Sequence, residues 1–149
     1  MQDRLNALSN VLRHIHQHSQ QMMIAIYQNG EPQVVSANFV VLNHCYYAAL
    51  PMKYVRAWQN APQVAVLLLE TPAFNPQYSQ LSWVAMARIV ARSENRYPYL
   101  RVALQEQFNS ACFVCELRPQ QGRVVCASGQ THDIDAQDLW SIAQQEMAA

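Results

Sequence analysis

Hydrophobic residues recur along the chain at two different spacings, one typical of a helix and one typical of strands. Near the start they recur every three or four positions, which is the pattern of an amphipathic helix. The residues of this apolar stripe are Leu5, Leu8, Val11, Leu12 and Ile15. We predict an N-terminal helix within residues 1–20 and a C-terminal helix within residues 136–149, with short strands between them.

The central part of the chain has the pattern of strands joined by tight turns. In "MMIAIYQNGEPQVVSANF" two apolar runs flank Asn29-Gly30, a pair suited to the positive φ angles of a hairpin turn. Further strands are predicted in "LNHCYYAAL", "QVAVLLLE", "LSWVAMARIVARSE", "SACFVCELRP" and "GRVVCASG", and a polar helix over about 97–108. Six or seven strands joined mostly by hairpins indicate an α+β fold, an antiparallel β-barrel with peripheral helices.

Composition favours one domain over residues 1–149. The chain is 51% hydrophobic, and dividing it would leave two marginal cores. Its formal net charge of zero provides no overall field that would attract nucleic acid or an anionic membrane. No apolar run approaches the roughly 20 residues that cross a bilayer, and the first residues lack the core of a signal peptide. We therefore expect a cytoplasmic protein with no nucleic-acid or membrane partner.

Two of the four cysteines form a CxxC motif, Cys112 to Cys115. On a strand, Cys112 shares a face with Val114, whereas Cys115 shares the other face with Phe113 and Leu117. Side chains on opposite faces cannot hold one metal ion, and the chain has no second CxxC. We interpret these cysteines as buried, reduced thiols.

Lys53 stands in the first turn of a predicted short helix that begins after Pro51. Exposed amides at a helix start favour an anion, and Arg56 follows one turn later. Two interpretations remain open from spacing alone. Lys53 contacts a ligand phosphate, or both cations form the solvated face of an amphipathic helix.

The order of the central elements is itself informative. A strand leads into the short lysine-bearing helix, "NAP", an apolar strand, a proline-bearing loop and the long strand "WVAMARIVARSE". This order resembles the flavin-binding split barrels of the pyridoxamine 5'-phosphate oxidase superfamily. The ending "FVCELRPQQGRVVCASGQTHDID" is similar to that of haem-utilisation proteins of the HugZ and HutZ type.

The resemblance covers about residues 22–135 and implies a homodimer with its cofactor at the subunit interface. By position, it implies these contacts with flavin mononucleotide (FMN): Ala48 and Ala49 along the flavin, Met52 and Lys53 at its phosphate, and Trp83, Met86 and Arg88 on the long strand.

The chain also departs from both branches of the superfamily. Met52 stands where many flavin-binding members have a hydroxyl residue, and Lys53 and Arg56 stand where the haem branch commonly has His and Asn. Either Met86 or Arg88 matches the position of the haem branch's basic residue. That branch also uses an axial histidine from its C-terminal segment, for which the candidate here is His132.

Ordinary roles account for the histidines apart from this resemblance. We expect His14, His16 and His18 to complement the C-terminal end of the first helix. His14 and His18 have a metal-compatible spacing, but no carboxylate or cysteine nearby completes a ligand set. We expect His44 within a strand and His132 in an exposed loop, where Asp133 or Asp135 would orient its ring if it bound a metal.

Three functions follow from the sequence and the resemblance. The first is an FMN-binding protein with flavin-dependent oxidoreductase chemistry, in which the protein orients the cofactor. The second is a haem-binding or haem-utilisation protein that uses His132. The third is a dimeric barrel without a cofactor. The sequence favours FMN, because Lys53 follows a helix-starting proline and matches the flavin pattern.

Overall fold

The computed structural model describes residues 10, 12–13, 15–16, 21–28, 31–54, 63–69, 80–104, 112–126 and 129–138. The strands in these ranges are β1 Met22–Gln28, β2 Glu31–Ala37, β3 Phe39–Leu42, β4 Cys45–Pro51, β5 Gln63–Leu69, β6 Gln80–Ile89, β7 Cys112–Val125 and β8 Thr131–Asp135. A 3-10 turn, Met52–Tyr54, follows β4, and an α-helix, Tyr97–Ala103, lies between β6 and β7. The described parts of 10–16 and 136–138 are helical.

The strands form one antiparallel sheet in the order β2-β1-β5-β6-β7-β4-β3, with β8 paired to β7. The two ends of this order, β2 and β3, are consecutive in the chain and are separated only by Asn38. The first half of this bent segment pairs with β1 and the second half with β4. The sheet therefore curls round on itself, and the predicted α+β class with an antiparallel barrel is confirmed.

Strand β7 connects the two parts of the sheet. One edge of β7 pairs with β6 from Cys115 to Val125. Its other edge pairs with β4 from Cys112 to Leu117 and with β8 from Gln121 to Val125. The sequence predicted two strands here, in "SACFVCELRP" and "GRVVCASG". The structure has one strand, and Pro119 lies in the short stretch between the β4 and β8 pairings.

The inner face of the sheet carries the larger hydrophobic core. It includes Tyr46, Leu50, Trp83, Cys115 and Leu117, all at most 1% exposed. The N-terminal helix contributes Leu12 and Ile15 to this core. The predicted N-terminal helix is thus present where the chain is described, and Leu12 and Ile15 of its apolar stripe pack in the inner core.

A second core lies on the outer face of β4 and β7, beneath the helix Tyr97–Ala103. Its members include Tyr47, Ala49, Val90, Leu100 and Val114. Because β4 is buried on both faces, its sequence "CYYAAL" is apolar throughout and does not alternate. The two cores also separate the CxxC cysteines as predicted, with Cys115 in the inner core and Cys112 against the outer one.

A chain of hydrogen bonds fixes the N-terminal helix to the barrel. Trp83 Nε1 donates to the Tyr46 hydroxyl at 2.9 Å, and that hydroxyl lies 2.6 Å from His16 Nε2. His16 Nδ1 lies 2.6 Å from the Leu12 carbonyl, so it carries the proton and Tyr46 donates to Nε2. His16 therefore contacts a carbonyl of its own helix and anchors that helix to the barrel. The end of the helix, whose dipole the histidines were predicted to complement, lies outside the described residues. Burial raises the pKa of Tyr46.

The structure corrects the predicted strand "LNHCYYAAL". Asn43 and His44 have φ angles of 51° and 68° and form a two-residue turn between β3 and β4. His44 therefore lies in a turn rather than in a strand. Asn tolerates the left-handed region, but the apolar residues on both sides concealed the break.

Other predictions changed at element ends or lie outside the described residues. Pro51 is the last residue of β4, and Met52 after it is 50% exposed. The continuation of the short helix through Arg56, the Asn29-Gly30 turn, and residues His14 and His18 lie outside the described ranges. The C-terminal helix begins at 136 as predicted, and only 136–138 of it are described. A single domain over 1–149 stays a prediction.

No helix in the described ranges combines the length and the apolar character that a membrane crossing requires.

Gly122 of β7 is required for the packing of Trp83. A Cβ at this position would lie 2.5 Å from Trp83 Cε3 and 2.7 Å from the Ser82 carbonyl oxygen. We predict that Gly122→Ala lowers the free energy of unfolding by about 2 kcal/mol, because the core cannot accept the added methyl group. Urea unfolding checks this. The control Gln121→Ala alters an exposed neighbour and should change stability by less than about 0.5 kcal/mol.

Candidate cofactor-binding site

The two alanines predicted to line the flavin lie on opposite faces of β4. Ala48 is fully buried in the inner core, and Ala49 is buried in the outer core beneath the helix. Ala48 pairs with Cys115 and Ala49 with Val114. One cofactor therefore cannot contact both side chains.

Lys53 lies in the exposed 3-10 turn that follows β4. Its Nζ is 5.1 Å from the centre of the Tyr54 ring, within the range of a cation–π contact. Met52 beside it is half-exposed. The turn therefore presents a cation, an aromatic ring and an apolar side chain together, which suits an anionic ligand with an apolar body.

The three residues predicted on β6 divide between the two faces of the sheet. Trp83 is 1% exposed and belongs to the inner core. Met86 and Arg88 lie on the outer face, as alternation along the strand requires. The structure thus places Met86 and Arg88 on one face of the sheet and separates them from Trp83.

Arg88 is held by two carboxylates. It donates through both terminal nitrogens to Glu94, each at 2.9 Å, and through Nε and Nη2 to Glu116 at 3.4 and 3.2 Å. These bonds to Glu94 and Glu116 raise the pKa of Arg88. Most of its donors are therefore used within the protein, which weakens its predicted role at a cofactor.

Glu116 is the centre of this charge cluster and the one polar or charged residue classed as fully buried in the described ranges, at 2% exposure. Besides Arg88, it accepts hydrogen bonds from the Tyr47 hydroxyl at 2.8 Å and from Arg96 Nη1 at 2.9 Å. Arg96 Nη1 also donates to the Tyr47 hydroxyl. Arg118 approaches at 3.7 Å.

The pKa values of this cluster follow from its bonding. Burial alone would raise the pKa of Glu116, but the bonds from Arg88 and Tyr47 outweigh it, so the pKa lies below its ordinary value. The bond from Arg88 likewise lowers the pKa of Glu94. Burial, followed by the bond to Glu116, raises the pKa of Tyr47. Both carboxylates are therefore ionised at neutral pH.

His132 lies within β8, paired with Val124, and is half-buried. This corrects the predicted exposed loop. Asp133 and Asp135 point to the opposite face of the strand, where Asp133 accepts from Arg123 at 3.2 Å. Asp135 accepts from the backbone N–H of Asp138 and starts the terminal helix. Neither carboxylate is placed to orient the ring of His132.

His132 and Lys53 lie near opposite ends of β7. The partner of His132, Val124, is twelve residues along the strand from Cys112, the partner of Pro51. This separation is roughly 40 Å along the strand. Arg88 pairs with Glu116 and is about 13 Å along the strand from the level of Pro51. Within one chain, His132 and Lys53 cannot belong to the same site.

A cleft of about 750 Å³ opens near the His132 end of the sheet. Its lining comes from β6, β7, β8 and the start of the terminal helix: Ser82, Trp83, Val84, Gln121, Gly122, Arg123, Asp133, Ile134, Asp135 and Asp138. The carboxylates outnumber the arginine, so the charge of this cleft does not favour a flavin phosphate or haem propionates.

Comparison with known proteins extends to structure alone, because no protein-family model and no curated protein matches the chain. A haem-binding protein from Mycobacterium smegmatis is similar with a TM-score of 0.75 and 14% identity, over 90% of this chain. The chain spans 60% of the length of that protein.

Two further structures bear on the fold. HutZ from Vibrio cholerae, described as a haem storage protein, is similar with a TM-score of 0.68 and 20% identity, over 80% of this chain and 94% of that one. An FAD-binding protein from Mesorhizobium loti is similar with a TM-score of 0.64 and 12% identity, over 77% and 91%. The chain has the split-barrel fold. The predicted resemblance to flavin-binding split barrels and haem-utilisation proteins is thereby confirmed at the level of fold.

Sequence reasoning missed the cluster around Glu116. Its members come from four parts of the chain: Tyr47, Arg88, the Glu94–Arg96 turn and β7. A single charged residue within the apolar run "ACFVCEL" was the available signal, because an isolated carboxylate in a buried strand requires partners.

We predict that Glu116→Gln lowers the free energy of unfolding by about 3 kcal/mol, because it removes the charge that Arg88 and Arg96 share in a buried setting. Glu94→Gln is the matched control. Glu94 is more exposed, at 24% of its side chain, and its loss should cost about 1 kcal/mol. Urea unfolding measures both, and equal losses would contradict the central role of Glu116.

The same cluster sets a pH dependence. The pKa values of Glu94 and Glu116 are lower in the folded protein than in the unfolded chain, where a glutamate has a pKa of about 4.3. Their contribution to the free energy of unfolding is therefore complete above the unfolded pKa and is lost as the pH falls through the folded pKa values. The stability that these two carboxylates contribute should therefore be constant from neutral pH to about pH 5 and fall below about pH 4 in urea unfolding. The decline should be shallower in Glu116→Gln.

Proposed function

We propose that this protein is a homodimeric split barrel that binds FMN at its subunit interface, with flavin-dependent redox chemistry as its activity. The observation that carries the proposal is the exposed turn Met52–Tyr54, which presents Lys53 beside Tyr54 and the half-exposed Met52. An FAD-binding protein of the same fold supports a flavin.

The roles of the chain's residues follow from their positions. Lys53 would hold the phosphate as a point charge, and Met52 and Tyr54 would pack against the apolar part of the cofactor. Met86 and Arg88 would border it from the outer face of β6. The bound flavin would supply the electron transfer, while the protein binds and orients it. Ala48 and Trp83 contribute packing behind the site rather than contacts.

The homodimer is part of the proposal because one chain offers an incomplete site. Lys53 and Arg88 are separated along the sheet, and large apolar side chains remain exposed at Val34, Val84, Tyr99 and Val102. A second subunit would cover apolar surface and bring further residues to the cofactor.

Haem is the second candidate, and two observations favour it. Two of the three similar structures described above are a haem-binding and a haem storage protein. His132 is half-buried in a strand and so has a more fixed position than a loop residue. In this case His132 would supply the axial ligand. Its distance from Lys53 means that the haem site would be a different one.

We predict that Lys53→Ala weakens FMN binding by ~1.5–3 kcal/mol, the usual contribution of a charge-assisted contact. Fluorescence quenching on titration with FMN measures the affinity. Light scattering on the same sample should give twice the 17.0 kDa of one chain. The control Arg101→Ala removes an exposed cation from the helix and should leave the affinity unchanged. A monomer, or unchanged FMN affinity in Lys53→Ala, would contradict the proposal.

The absorption spectrum separates FMN from haem. If FMN is the cofactor, the protein should show oxidised flavin bands, and His132→Ala should bind FMN as tightly as the native chain. Stoichiometric haem binding with a Soret band that changes in His132→Ala, without FMN affinity, would establish the second candidate instead. Binding of neither cofactor would point to a barrel that acts through its dimer alone.

A further inference from the structure

Three arginines surround one buried carboxylate on the outer face of the sheet. Arg88, Arg96 and Arg118 lie 3.2, 2.9 and 3.7 Å from the oxygens of Glu116. Glu94 is the other carboxylate of the cluster. Three cations and two anions leave one positive charge, so the cluster as a whole favours an anion.

The three guanidinium groups differ in how many donors the protein uses. Arg88 donates to both Glu94 and Glu116. Arg96 uses Nη1 for Tyr47 and Glu116 and approaches Glu94 through Nε, and Arg118 approaches Glu116 through Nη2 and bonds to the Cys45 side chain. The side chains of Arg96 and Arg118 are 37% and 69% exposed. Because a guanidinium has five N–H donors, both retain donors on the solvent side.

Arg96 and Arg118 are also held near one another. Nη1 of Arg96 is 2.9 Å from one oxygen of Glu116, and Nη2 of Arg118 is 3.7 Å from the other. Glu116 is itself fixed by the Tyr47 hydroxyl at 2.8 Å. The two guanidinium groups therefore share one buried, fixed counter-ion.

We propose that Arg96 and Arg118 form a binding site for a phosphate group, on the outer surface above Glu116. A phosphate dianion has enough oxygens to bridge two guanidinium groups, and it supplies a second negative charge that a carboxylate lacks. The site does not include Lys53 and does not require bound FMN, although Arg118 pairs with Met86, one of the residues that would border the flavin. The ligand is a small phosphorylated molecule.

Stability alone is a weak explanation for this arrangement. A buried ion pair contributes little net stability, because desolvating the charges offsets their attraction. An apolar residue in place of Glu116 would extend the outer core that includes Val114. The buried carboxylate is instead suited to fixing guanidinium groups whose remaining donors face outward.

Inorganic phosphate is the probe, titrated calorimetrically into the full chain without FMN at about pH 8, where phosphate is mainly dianionic. Chloride holds the ionic strength constant. We expect saturable binding that weakens about tenfold in Arg118→Gln, which removes an exposed cation with one long contact to Glu116. Arg96→Gln should weaken binding as well. Arg101→Gln, on the exposed side of the helix, should leave it unchanged.

Two further titrations identify the binding site and the class of ligand. Lys53→Ala should retain phosphate binding here even where it has lost FMN affinity, so that this inference and the FMN proposal fail separately. Acetate should bind more weakly than phosphate. The inference is overturned by the absence of saturable phosphate binding, by equal affinity in Arg118→Gln, by loss of binding in Lys53→Ala, or by tighter binding of acetate.

Discussion

Backbone pairing along β7 is the constraint on which the rest of the structure depends. This strand of 14 residues pairs with β6 on one edge and with β4 and β8 on the other, so residues far apart in sequence meet at fixed positions along it. Its register places Tyr47 and Arg88 on either side of Glu116. It also places His132 and Lys53 near opposite ends. The same ladder therefore creates the charge cluster and separates the two candidate cofactor contacts.

The spacing of apolar residues predicted most of the fold, because each helix and strand that packs on the inner core needs apolar side chains at regular positions. The N-terminal helix, the β1–β2 pair, the long strand β6 and the two faces of the CxxC were all recoverable from apolar spacing. The turn at Asn43 was missed because apolar residues continue on both sides of it. Strand β8 was missed because its polar sequence "THDID" gains strand structure through pairing with β7.

The candidate site was less predictable, because it depends on which face each side chain occupies. Sequence position grouped Ala48 with Ala49 and Trp83 with Arg88, whereas the sheet puts the members of each pair on opposite sides. The partners of Arg88 are six and 28 residues away, which no local pattern indicates. Among the predicted contacts, Lys53 lies on an exposed turn, whereas Ala48 and Trp83 are buried in the inner core. A cofactor that contacts Lys53 would therefore lie on the surface of the barrel rather than inside it.

The direct link from β2 to β3 through Asn38 has a consequence for aggregation. Most sheets end in strands whose unpaired backbone groups can template pairing with another chain. Here the two ends of the strand order are successive parts of one bent segment. Among the described strands, β2, β3 and β8 pair along one edge only; they are seven, four and five residues long, and two residues of β8 are aspartates. Like charges on such a short edge repel a second copy, so refolding at high concentration should favour the barrel over intermolecular sheets.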